Sequence, residues 1–126
     1  MINKHIMKKL GQLAEITKQA AMTRLSRLTS QRAGLENEIA EIKRAIAKPA
    51  DTHRTVASEV YEKWVVWGER RSVDLNQQIK ELQPFIAEAQ REARTALGRS
   101  SVIDKLRQRH QESIEKRALI QEEQLE

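Results

Sequence analysis

Two long apolar periodicities run through this sequence, and they stop and restart together at one place, Lys48-Pro49-Ala50-Asp51-Thr52-His53-Arg54-Thr55. Pro49 has no N–H to give a continuing helix, and it drives Lys48 out of the α region. Asp51 and Thr52 carry side-chain oxygens that accept from the free amides of a new first turn. A helical pattern from about residue 2 to 47 precedes the break, and another from about 56 to 97 follows it. Residues 48–55 therefore read as the bend of an all-α fold, a long antiparallel two-helix coiled-coil hairpin.

On the first arm the apolar or small stripe is Leu10, Leu13, Thr17, Ala21, Leu25, Leu28, then Leu35, Ile39, Ile42 and Ile46, with Arg32 in the gap. Its spacing averages about 3.6 residues, which keeps pace with a natural helix and asks for little supercoiling. On the second arm the stripe continues through Val60, Trp64, Trp67, Arg71, Leu75, Gln78, Leu82, Phe85, Ala89, Ala93 and Leu97. Folding back about residues 49–51 sets Ile39 against Val60, Leu35 against Trp64, Leu25 against Leu75 and Leu10 against Ala89. It also sets Arg32 against Trp67, where a cation–π contact would explain a base on a buried stripe. Pro84 falls inside the second arm with the apolar phase intact on both sides, which predicts a kink there. Gly98 is a candidate helix stop, and Ser101 with Asp104 a capping box that opens a helical extension over about 101–126. That extension has no antiparallel partner left on the first arm, so the hairpin is expected to carry a C-terminal overhang.

The composition suits a narrow seam better than a thick core. Of 126 residues, 33% are charged and 3% aromatic, with 4 Gly and 2 Pro, and all are read as one domain. The absence of Cys excludes disulfides and thiolate metal sites and is compatible with a reducing cytosol. No run is long and apolar enough for a membrane span, and the basic start lacks the apolar stretch of a signal peptide. The formal charge of +5 is unevenly placed: residues 1–32 carry seven bases against Glu15 alone, whereas 98–126 balance six against six.

Nothing in the chain reads as a catalytic centre, and no cofactor or metal is expected. His5, His53 and His110 are scattered, no metalloenzyme His–Glu spacing occurs, and the glycines stand singly in helical context. Two packed helices also make no enclosed pocket to shift a carboxylate's pKa. The sharpest local feature is Tyr61-Glu62-Lys63-Trp64-Val65-Val66-Trp67, which holds three of the four aromatics. The two Trp are expected to widen the seam near the bend, while Tyr61, Val65 and Val66 are candidates for a partner surface. The basic residues Lys4, Lys8, Lys9, Arg24 and Arg27 form a second candidate surface. They suit an acidic protein partner; nucleic acid is a weaker alternative, because stacking aromatics and a groove-reading motif are missing.

The length, the basic Lys8-Lys9-Leu10 start, the hairpin and the Arg-rich stretch Asp104-Lys105-Leu106-Arg107-Gln108-Arg109-His110 together resemble the FliJ and YscO type of coiled-coil proteins of flagellar and type III secretion export. The resemblance implies a non-enzymatic cytoplasmic stalk, monomeric when alone, that reaches the inner membrane only through the export apparatus. Its partners would be the hexameric export ATPase, a membrane export-gate protein and export chaperones. The paired ends of the hairpin would enter the ATPase ring through Lys4, Lys8, Lys9, Lys105, Arg107 and Arg109. The region near the bend would meet the gate through Tyr61, Trp64, Val65 and Val66. Outside that family, a nucleic-acid-associated coiled coil and a homo-oligomeric scaffold joined through 101–126 are the alternatives.

Overall fold

The computed structural model describes residues 3–47 and 58–125, and both stretches are helical. Helix α1 spans Lys4–Ile46 and helix α2 spans Ser58–Leu125. The two pack against each other as an antiparallel hairpin with no strand among the described residues. The expected bend, with its Pro49 stop and its Asp51 and Thr52 caps, lies outside the described residues. The start of α1 has a cap that the sequence reading missed: Asn3 Oδ1 accepts from the Ile6 N–H at 2.9 Å, while the Asn3 carbonyl takes the first helical bond from Met7. An Asn at this position satisfies one of the four amides that a helix start leaves free.

Helix α2 does not stop at Gly98. It runs unbroken through both Pro84 and Gly98 to Leu125. A glycine that ends a helix does so by turning to positive φ, and no described glycine has one. Without that turn Ser101 and Asp104 sit in mid-helix, where no free amides wait to be capped.

The contacts gather in two compact units, Leu25–Glu88 and Met1–Arg24 with Ala89–Glu126. In the Leu25–Glu88 unit, the side chains of α2 that face α1 are Tyr61, Val65, Gly68, Ser72, Leu75, Ile79, Leu82 and Ile86, each buried or half-buried. They alternate steps of four and three, a heptad seam averaging about 3.5 residues, which stays on one side of a helix only under left-handed winding. On α1 the matching positions are Leu25, Leu28, Arg32, Leu35, Ile39, Ile42 and Ile46. The expected stripe of α2 shares Leu75 and Leu82 with this seam and leaves it elsewhere. Gly68, Ile79 and Ile86 occupy the places expected of Trp67, Gln78 and Phe85, and Trp67 and Phe85 are 57% and 53% exposed. The stripe followed the largest side chains, whereas the closest approach between the helices selects the smallest. A Cβ on Gly68 would stand 2.5 Å from Ile46 Cδ1 and 3.1 Å from Ile42 Cγ2.

The register differs as well. Glu38 pairs with Arg71, and Gly68 lies under Ile42 and Ile46, a displacement along α2 of nearly three helical turns from the expected partners. A fold-back centred on residues 49–51 would set Glu38 beside about residue 62, whereas it meets Arg71. Arg32 consequently does not meet Trp67; its Nε lies 3.8 Å from Glu36 on its own helix.

In the other unit the α2 side of the seam is Ala89, Ala93, Ala96 and Ser100, all buried, followed by a half-buried Ile103. Facing them, α1 contributes Met7, Gly11, Ala14, Lys18 and Ala21. Small side chains on both helices let the backbones come close, a packing solution that sacrifices buried area. The register also shortens the overhang: Arg107 lies over Gly11 and His110 is half-buried, so α2 is fully exposed only from Gln111 onward.

The glycines separate packing from propensity. Gly34 has open space where a Cβ would go, so Gly34→Ala is expected to stabilise by about 0.5–1 kcal/mol through helix propensity. Gly68→Ala brings the same propensity gain but needs Ile46 Cδ1 to swing aside and Ile42 Cγ2 to give, so it is expected to be less stable than Gly34→Ala by about 1 kcal/mol or more. Urea melts followed by circular dichroism measure both, and a lower midpoint for Gly68→Ala than for Gly34→Ala is the predicted result.

Candidate interaction surfaces

In each unit the flank of the seam that carries the interhelical ion pair also carries an apolar groove. Near the bend end, Ile42, Ala45 and Ile46 of α1 and Trp64, Trp67 and Gly68 of α2 line an apolar groove of about 190 Å³, with Glu38 and Glu41 on its rim. Gly68 lies where the helices come close, and both indoles line the groove with it. Glu38 is held by Arg71, whose Nη2 and Nε both reach the same carboxylate oxygen, at 3.0 and 3.3 Å. Both side chains are about two-fifths exposed, so the pair fixes register more than it adds stability.

The aromatic cluster divides differently from expectation. Tyr61 is half-buried; its hydroxyl donates to the Ile46 carbonyl at 3.1 Å, and its ring lies 6.3 Å from that of Trp64 in a tilted arrangement. It closes one of the carbonyls that the end of α1 leaves without a helical partner. Val65 belongs to the seam, whereas Val66 is exposed and faces away with Val73, Glu69 and Arg70 along a shallow depression on the other flank. Of the four residues expected to meet a partner here, Trp64 lines the groove and Val66 lies elsewhere. Trp67 and Val60, both read as buried, are more than half exposed. Their exposure was hidden in the sequence by a phase error of one residue, and the residue that bears on the phase is Gly68, whose missing side chain suits a close approach of the helices.

The six basic candidates all belong to the Met1–Arg24 and Ala89–Glu126 unit, and all are exposed. Lys4, Lys8 and Lys9 lie on the first turns of α1. Lys105, Arg107 and Arg109 lie on the stretch of α2 brought alongside by the Arg107–Gly11 contact. Two other bases of the first arm in this unit have carboxylate partners. Lys18 lies 3.0 Å from Glu15, and Arg24 lies 2.7 Å from Glu92 across the seam. Hydrogen bonds from Gln19 and Lys18 hold the Glu15 carboxyl below its ordinary range. The same unit has an apolar groove of about 140 Å³ between Leu10, Leu13, Ala14 and Thr17 of α1 and Ala96, Arg99 and Ile103 of α2.

Among the described residues no group of His, Cys, Asp or Glu is clustered as a metal site, and no helix is long and apolar enough to cross a membrane. Neither protein-family models, nor curated proteins, nor solved structures match the chain. The candidate surfaces rest on the residues themselves.

Replacing Tyr61 by Phe removes the bond to the Ile46 carbonyl while keeping the ring. A loss of about 0.5–1.5 kcal/mol is expected, whereas Val66→Ser on the exposed flank should stay within about 0.5 kcal/mol of the parent. Denaturant midpoints read both, and equal effects would contradict the separation of the two side chains.

Proposed function

We propose that this chain is a non-enzymatic coupling protein, a helical stalk that engages the hexameric ATPase of a flagellar or type III export machine. The observation that carries the reading is the open end of the Met1–Arg24 and Ala89–Glu126 unit. There six exposed bases from two helices gather, and α2 continues beyond α1 as a single exposed helix from Gln111 to Leu125. A basic, two-stranded end that narrows to one strand suits insertion into an acidic ring lumen, where long-range attraction steers the approach and the exposed helix supplies contact area. The export-gate protein would meet the Trp64–Trp67 groove of the other unit, and export chaperones the remaining exposed apolar positions. The chain would be a cytoplasmic monomer in isolation, brought to the inner membrane by its partners.

Nucleic acid is the less favoured partner. Lys18, Arg24 and Arg32 of the basic arm have carboxylates within 4 Å, which leaves fewer bases free to replace counterions along a phosphate backbone.

Adding the purified chain to a purified export ATPase is expected to raise ATP turnover several-fold. Lys8→Glu with Lys9→Glu should abolish that increase while helicity is unchanged. Binding without any change in turnover would contradict the proposal, as would retention on DNA or RNA at low salt that disappears on adding salt while the ATPase is ignored.

A further inference from the structure

The groove between Leu10, Leu13, Thr17, Ala96, Arg99 and Ile103 is an apolar surface with a single unanswered charge. Leu13 is 62% exposed, and Ile6, one heptad earlier on the same face of α1, is also exposed. On α2, Val102 and Leu106 continue the apolar surface one and two turns beyond Arg99. The one hydroxyl on the α1 wall has its proton engaged within the helix, because Thr17 donates to the Leu13 carbonyl at 2.9 Å. Arg99 takes part in none of the ion pairs among the described residues, and Glu92, the acid one heptad before it on the same flank, is committed to Arg24. Around the groove the unit carries thirteen bases against eight acids, so it holds the chain's whole excess of +5, while Leu25–Glu88 is balanced at ten against ten.

From this we infer that the groove seats an acidic amphipathic helix of a partner protein, with its apolar face over Leu10, Leu13 and Ile103 and a carboxylate on Arg99. Apolar side chains beside a heptad seam, on the same flank of both helices, are the pattern of a hairpin that packs a third helix. Charge selects the occupant. A second copy placed symmetrically on this face would set Arg99 and the unit's excess charge against their own images, and a basic helix would meet the same repulsion. An acidic one is steered in by the unit's field and neutralises the guanidinium at contact. The inference does not depend on which machine the chain serves.

The full-length protein is titrated with a fluorescent helical peptide about three heptads long, with leucine at a and d and glutamate at e and g, and with the same peptide carrying lysine at e and g. Binding of the acidic peptide at least about tenfold tighter than the basic one is expected. Leu13→Asp should weaken it about tenfold or more, with helicity unchanged because Leu13 is largely exposed. Arg99→Glu should weaken it far more than Lys116→Glu, an equal charge change on the exposed end of α2. Equal losses for Arg99→Glu and Lys116→Glu would overturn the proposal as attraction by net charge alone. Indifference to Leu13→Asp, or absence of binding, would overturn it directly. So would sedimentation of the protein alone as an oligomer that Leu13→Asp dissolves, since the occupant would then be a second copy.

Discussion

The contact between Gly68 and the pair Ile42 and Ile46 determines more of this structure than any other. A methyl there would require the Ile46 Cδ1 end to swing aside and Ile42 Cγ2 to give by a few tenths of an ångström, and close packing of that kind bears on two quantities together. It sets the rotational phase of α2, because the glycine must point at α1, and it sets the register, because only the Ile42–Ile46 stretch lies above it. Once both are fixed, Leu75 and Ile86 are buried, Arg71 arrives at Glu38, and Trp67 turns outward. The ion pair and the Tyr61 hydroxyl are then consistent additions, each worth less than the packing that positions them.

That ordering of forces explains why some of the fold was legible in the sequence and some was not. Two helices packed as a hairpin follow from apolar periodicity on both sides of a proline-bearing break, and propensity and pattern agree there. The positions Leu35, Ile39, Ile42 and Ile46 were read correctly because α1 near its end has large apolar residues only at heptad positions. On α2 the same reasoning places Leu75, Leu82, Ala89 and Ala93 on the seam but not Trp67, Gln78 or Phe85. Trp67 and Phe85 sit one residue from Gly68 and Ile86, and hydrophobicity alone favours the bulkier member of each pair. The register was not legible either, because stripes of similar period on two helices pair almost equally well after a slide of a few turns. Gly98 misled because a glycine stops a helix only if its φ inverts, and composition carries no sign of φ.

Lys4, Lys8, Lys9, Lys105, Arg107 and Arg109 fall in one unit, although charge counting points only to the first three and the family resemblance to the others. Charge counting could not separate Lys18 and Arg24, which find carboxylates, from Arg99, which does not and which the sequence reading never singled out. The apolar grooves were also invisible in one dimension. Each is made from the flank of the seam, and its residues are spread over two helices and are neither the largest stripe nor a local motif. The surface that most invites a partner is therefore built from side chains such as Leu13 and Trp67 that had first been placed in the seam.

The phase and register of the two helices can be tested directly by cross-linking. A chain with Glu38→Cys and Arg71→Cys, exposed to a short bis-maleimide at low protein concentration, should give an intramolecular cross-link in high yield, because these two positions face each other across the seam. Arg32→Cys with Trp67→Cys should give little, since those residues face each other only in a hairpin folded about residues 49–51. Efficient cross-linking of the second pair and not the first would contradict the seam through Gly68 and with it both interaction surfaces.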